Sequence, residues 1–402
     1  MSGAPPTTAL RSAWPNIVLI VGAGVVSAFQ VGKAPIALPS VQEELGLGLG
    51  AATWLISAFA LIGAVAGAPV GLAVDRVGAK RMAVFSLLLM GVGSALGALA
   101  PGAGSILATR VIEGLGFLAL VVAAPALIAN AASPDIRDRA MALWATFMPI
   151  GMTMVMLAAP LLTLLTWRGF WLLNALMLVV YALLIWWRLE SPAPILGQHR
   201  NIRRDIGDAL AAPGPWILGG LFAAFSAAFF AVFGLLPSFL STRLGIGGDM
   251  ASMLSALAVA ASAAGNLVCG QLLARGVRPG GLLIASFGAM ALSSIGIFND
   301  FIPGGAAYAL CVLFSLASGL VPVVIFDSAP RSAPRPDLVG ITIGFAMQGN
   351  NVGLVLGPAV AGSVVASIGW TMISATVVAI SLLAAPLIFA HAHMKTTGVP
   401  AS

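Results

Sequence analysis

Three charged residues interrupt long apolar runs: Lys33, Arg110 and Glu113. An ionised side chain at the centre of a helix in hydrocarbon costs at least ~2.5–3.5 kcal/mol, so each needs a partner or a wet cavity. Arg110 and Glu113 are separated by three positions, which puts them on one face of a helix. At 1.5 Å per residue Arg110 lies roughly 8 Å from the nearer end of its run and Glu113 roughly 12 Å, near mid-depth. Such a pair either anchors helices or forms a proton or substrate site in which Glu113 titrates beside Arg110. The second reading is favoured. Lys33 stands two residues before Pro35, towards the outer end of the first run, with Gln30 one turn below it. It either snorkels to the interface or offers a cation to an anionic ligand, Gln30 sharing the contact; the second is again favoured. No other chemistry is assembled. The three histidines, His199, His391 and His393, form no metal cluster, and Cys269 and Cys311 sit in apolar surroundings as small buried hydrophobes.

The runs that carry these charges must be helices in lipid. Hydrophobic residues are 60% of the 402 and charged ones 8%, with mean hydropathy +1.05; soluble domains carry about a quarter charged residues. A helix needs about 20 apolar residues to cross the bilayer. Twelve runs qualify: 16–38, 53–74, 82–100, 105–131, 140–164 and 170–189, then 216–240, 250–274, 281–298, 304–326, 338–367 and 370–392. The first, preceded by Arg11, is too long for a signal peptide and lacks a cleavage pattern, so it is expected to be retained. The net charge of +6 does not imply nucleic acid, because the basic residues lie in short loops. Fifteen of the nineteen Lys and Arg fall in alternate loops on one side, Arg168 and Arg243 on the other. This predicts that both termini are cytoplasmic.

The polar stretch between Arg188 and Pro215, with Arg200, Arg203, Arg204, Asp205 and Asp208, divides two sets of six. The expected organisation is residues 1–190, a linker at 191–214, and residues 215–402. The halves are copies. Pro39, Leu45, Gly71, Pro125, Pro160 and Trp167 recur in order as Pro237, Leu244, Gly270, Pro322, Pro358 and Trp370, each displaced by 197–203 positions. Lys33 falls opposite Ala231, so it is no symmetric feature. Six helices per copy make the repeats parallel, and transporters of this construction bind substrate between the halves and rock around it.

The loop after the second run reads Gly71-Leu-Ala-Val-Asp75-Arg76-Val-Gly78-Ala-Lys80-Arg81. It resembles the signature loop of the major facilitator superfamily, departing at Ala79, where a basic residue is common. Arg110-Val-Ile-Glu113-Gly114-Leu-Gly116 is similar to that family's intramembrane Arg-x-x-x-Gly motif. The resemblance implies an all-α fold of two six-helix bundles and alternating access. It makes Gly71, Asp75, Arg76, Gly78, Lys80 and Arg81 a gating loop. It also places the first, fourth, seventh and tenth helices around a cavity, which adds Tyr308 to Lys33, Gln30 and Arg110 as substrate contacts, with Glu113 and Arg110 in proton coupling. The glycine-rich Gly-Pro stretch of drug/proton antiporters is weak in the fifth run, at Gly151 to Pro160. It is strong in the eleventh, at Gly349, Gly353, Gly357, Pro358 and Gly362, where close helix packing explains it.

The expected function is secondary transport of a small organic solute, an organic anion first, across a bacterial inner membrane, with a coupled proton. Proton-coupled efflux of a drug or metabolite is the alternative. A transporter-like sensor is a third reading, disfavoured by short tails. No enzymatic activity, cofactor or nucleic-acid partner is expected, and the monomer is the expected state.

Overall fold

The structure is a computed structural model that describes residues 7–46, 49–190 and 202–393. His199, Arg200, Lys395 and the first part of the expected linker lie outside the described residues.

Among the described residues every regular element is helical, and twelve helical stretches are long and apolar enough to cross a membrane. In the first half these are α1 (Thr7–Leu45), α2 (Leu49–Val77), α3 (Ala79–Ala98), α4 (Ala103–Ala131), α5 (Arg137–Ala145) continued by α6 (Phe147–Leu157), and α7 (Leu161–Arg188). A short amphipathic α8 (Ile202–Ala211) precedes α9 (Pro213–Phe233). Then come α10 (Leu236–Leu244), α11 (Gly248–Ala274), α12 (Pro279–Ile297), α13 (Gly304–Ser318), α14 (Leu320–Ser332), α15 (Val339–Ser367) and α16 (Met372–His393).

Most ends fall within a few residues of the apolar runs. The fifth span ends early, at Leu157, because Pro160 has no N–H to continue the ladder and the chain turns over Ala158–Pro160. Helix then resumes at Leu161 and breaks again at Thr166, whose φ of 58° is a left-handed value on a β-branched residue. Between α2 and α3 the turn is made at Gly78 with φ 91°, where a side chain would be strained.

The described residues fall into two compact units. One holds the chain up to Phe59 and from Ala73 through α7; the other holds Ala60–Leu72 of α2 with everything from α8 onward. In the first, α3 packs against α4 and α7, and α1 against α4, α6 and α7. At one end of it Glu44, on the last turn of α1, accepts from Trp167 Nε1 (2.5 Å) and from Arg168 Nε (2.6 Å). The Arg168 guanidinium, and with it the Trp167 indole, holds the Glu44 carboxyl below the usual glutamate range.

In the second unit α9 packs against α15. A methyl at Gly357 would meet the Ala227 carbonyl oxygen at 2.5 Å, so the glycine series of α15 is what lets the two backbones approach. Arg335 ties α8 to the start of α15: it donates to Asp205 at 2.5 Å, Asp208 at 2.6 Å and Asp337 at 3.2 Å. The Asp205 and Asp337 carboxylates raise its already high pKa.

Candidate functional site: a closed ion cluster in the first half

The three intramembrane charges meet in the first unit. Lys33 on α1 and Glu113 on α4 are fully buried, and Arg110 is 1% exposed. The Lys33 ammonium donates to Glu113 Oε1 at 2.7 Å, to Ser94 Oγ of α3 at 2.7 Å and to Gln30 Oε1 at 2.5 Å. An ammonium has three N–H groups, so all are spent. The ring of Trp171 on α7 closes the remaining side, 4.5 Å from Nζ to its centroid. The other Glu113 oxygen accepts from Arg110. Arg110 Nε reaches the Leu55 carbonyl of α2 at 2.9 Å, and its guanidinium lies 4.7 Å from the Phe59 ring centre.

A second tier holds these groups in place. Gln30 Nε2 donates to Asn174 Oδ1 at 3.3 Å, and Asn174 Nδ2 to the Phe170 carbonyl at 2.8 Å. Ser94 donates to the Trp171 carbonyl at 2.7 Å. Glycine at 93 is what lets α3 come this close, since a Cβ there would lie 2.9 Å from Glu113 Cγ.

The cluster holds two cations and one carboxylate. At 2.7 Å and an effective dielectric of about 20, the Lys33–Glu113 attraction is about 6 kcal/mol. Desolvation of each ion costs several kcal/mol and offsets most of it. A balanced pair therefore roughly breaks even, and the excess positive charge is uncompensated by any group in the cluster. Because of this cost, ionisable side chains are rare inside membrane helices.

Of the other residues singled out from the sequence, Tyr308 lies in the second unit on α13, and its hydroxyl donates to the Leu254 carbonyl at 3.0 Å. Asp75 and Arg76 occupy the last turn of α2, where a cation faces the negative end of the helix dipole. Gly78 makes the turn, Lys80 stands 5.2 Å from the Trp186 ring centre, and Arg81 is exposed. Gly71 lies in the second unit, its backbone against Gly340. Sequence reasoning did not join Lys33 to Glu113, eighty positions apart, and gave no role to Ser94, Trp171 or Asn174. Asn174, a polar residue inside an apolar run, was the one visible signal.

Comparison with known proteins agrees with this architecture. Residues 20–347 match the family model of the Major Facilitator Superfamily. The puromycin resistance protein pur8 of Streptomyces alboniger is 32% identical over 166 residues, which is 40% of this chain and 33% of that protein. The lincomycin resistance protein of Streptomyces lincolnensis is 26% identical over 180 residues, 44% of this chain and 37% of that protein. The matched region thus spans about a third of these relatives' own length. Among solved structures, the human organic anion transporter MFSD10 (TETRAN) superposes with a TM-score of 0.74 at 18% identity, over 96% of this chain and 100% of that one. Twelve apolar helices, an ion cluster built on the intramembrane Arg-x-x-Glu-Gly stretch, and a family match over most of its length make this chain a multi-pass membrane protein of the major facilitator superfamily.

Proposed function

We propose that the chain is a secondary active transporter that exports an organic solute in exchange for protons, with the proton exchanged at the Lys33–Glu113–Arg110 cluster. The saturation of Lys33 carries this reading: its three N–H groups are taken by Glu113, Ser94 and Gln30, which leaves no donor for an anionic substrate. Arginine keeps its proton in proteins, and Glu113 accepts from two cations. Lys33 is then the member able to give a proton up. Its loss leaves a neutral amine beside a balanced Arg110–Glu113 pair, and its return restores the charge. Names recording resistance to puromycin and to lincomycin among the relatives support export.

The unbalanced charge favours one other reading, in which an organic anion supplies the missing negative charge once Lys33 releases Gln30 or Ser94. Proteoliposomes carrying a pH-sensitive dye separate the two. Under the exchange mechanism Lys33→Met abolishes solute-driven proton movement and retains solute counterflow. Under the anion mechanism Lys33→Met loses solute binding itself. Proton movement undiminished in Lys33→Met overturns the coupling role.

We also place the protein in a bacterial plasma membrane with both termini cytoplasmic, from the distribution of its lysines and arginines. Arg203 and Arg204 then lie in a cytoplasmic linker between bundles 1–190 and 215–402. Labelling of the Arg203→Cys variant by an impermeant thiol reagent in intact cells would contradict this.

A further inference from the structure

Helix α2 contains Pro69, and proline has no N–H. The carbonyl four residues earlier, that of Val65, therefore lacks its helical partner by covalent necessity. In hydrocarbon water is absent, and a freed backbone group must be satisfied by a neighbouring helix. Gln348 on α15 does this. Its Nε2 donates to the Val65 carbonyl at 3.1 Å and to the Ala64 carbonyl at 3.2 Å. Its Oε1 accepts from the Ala68 N–H, the last donor before the proline, at 3.2 Å. Both amide hydrogens and the oxygen are used on the three backbone groups around the break.

The approach is close because both helices are stripped of side chains along the seam. Gly63, Gly67 and Gly71 recur every fourth residue on α2, as do Gly340 and Gly344 on α15. A Cβ on Gly67 would strike the Gly344 carbonyl, and one on Gly344 would strike that of Gly67. Gln348 continues the α15 series by four more residues, at the level of the proline break. A glutamine there meets a need that a small residue could not.

We infer that Gln348 is a positioning residue that completes α2 at Pro69, and that the pair is a latch for this packing of Ala60–Leu72 on α15. While the helices are seated, the proline costs no hydrogen bond. When α15 withdraws, the Val65 carbonyl is orphaned until water or another donor reaches it. The latch thus sets the population of the seated arrangement. Its consequence for transport rests on the alternating-access reading; its existence does not.

Hydrogen exchange followed by mass spectrometry on the full-length protein in detergent tests it. Gln348→Ala should raise exchange in peptides covering residues 60–72 by roughly three- to twentyfold, the range that interhelical side-chain hydrogen bonds contribute in membrane bundles. Gln348→Glu should do worse than Gln348→Ala, because a carboxylate keeps the bond from Ala68 but faces two carbonyl oxygens. Pro69→Ala restores the missing N–H, so adding Gln348→Ala to it should change exchange less than twofold. An unchanged exchange in Gln348→Ala overturns the latch. So does an equal increment with and without Pro69→Ala, which would make Gln348 an ordinary packing contact. Exchange needs no substrate, so a failure of the transport reading leaves this result intact.

Discussion

Removing the acid of the buried cluster should cost far more stability than removing one of its cations. Glu113→Gln leaves Lys33 and Arg110 facing each other in a fully buried site with only a neutral amide between them. Breaking a buried ion pair from one side costs about 3–5 kcal/mol, and two stranded cations put this variant at the upper end. Lys33→Met instead removes the uncompensated charge and leaves Arg110–Glu113 as a balanced pair. It loses the bonds to Gln30 and Ser94, both neutral acceptors that keep their own onward bonds to Asn174 and to the Trp171 carbonyl. The Gln30 Oε1 left without its donor costs about 1–3 kcal/mol, which relief of the uncompensated charge offsets, so the net cost should stay within ~1 kcal/mol. Arg110→Met keeps the Lys33–Glu113 pair and loses the bond to Leu55 and the contact with Phe59, an intermediate case at about 1–2 kcal/mol. Thermal unfolding of purified protein followed by tryptophan fluorescence reads the order. Glu113→Gln should lower Tm by roughly 5–10 °C and Lys33→Met by no more than roughly 2 °C. Adding Lys33→Met to Glu113→Gln returns the cluster to a single positive charge and should recover part of the loss. If Glu113→Gln proved as stable as wild type, or Lys33→Met were the most damaging of the three, the charge argument would be refuted.

Three further outcomes are expected. Thr166→Gly should raise Tm by a few degrees, since strain at a left-handed β-branched residue costs of order 1–3 kcal/mol and glycine has none there; no gain would mean the turn is not strained. The Glu44 carboxyl is held below its unfolded value by Arg168 and Trp167, so its contribution is present above that value and fades as pH falls through the folded one. The Tm difference between wild type and Glu44→Gln, small at neutral pH because the pair is partly exposed, should begin to shrink as pH falls below about 4.3, the ordinary glutamate value, and be gone once pH is below the depressed folded value. Arg335→Ala should release α8, seen as faster proteolysis near Ile202–Ala211, because Asp205 is 2% exposed and loses this cation; unchanged proteolysis would assign that anchoring to other contacts.

Most of the helix layout is legible in the sequence because the bilayer fixes the length of each apolar run, whatever the helices pack against. Ends are less so: Pro160 and Thr166 divide the stretch between α6 and α7 by backbone geometry, to which hydropathy is blind. The candidate site is half legible. The i, i+3 spacing of Arg110 and Glu113 guarantees a shared face, but no spacing says that α1 lies against α4, so Lys33 cannot be paired with Glu113 from the chain alone. Ser94 sits in a run of Gly, Ala and Leu and reads as one more small residue. Gln348 is harder still, because its partners are backbone groups exposed by a proline on a different helix.

The duplicated sequence also separates features that both halves share from one that only the first half carries. Each half must satisfy the carbonyls at the C-terminal end of its third helix, and each does so with a guanidinium. In the first, Arg168 donates to Ala98 and Ala100 at the end of α3. In the second, Arg243 donates to Asn299 and Ile302 at the end of α12 and pairs with Asp300. The two arginines are not equivalent in the repeat. Arg243 falls opposite Glu44, the residue that holds Arg168 in the first half. The need is symmetric and the residues that meet it are exchanged, as expected where any cation near a helix C-terminus serves. The buried cluster behaves differently. Displaced by 197–198 positions, Lys33 falls on Phe230 or Ala231, Gln30 on Ala227 or Ala228, Arg110 on Ala307 or Tyr308, and Glu113 on Leu310 or Cys311. None of these counterparts carries a full charge, and among them Ala228, Ala231, Ala307 and Cys311 are buried, so the second half closes the same depth largely with small apolar residues. The second half is thus built without a counterpart of the cluster. Under the proposed exchange mechanism, the presence of the cluster in one copy only directs the search for the coupling site to the first half.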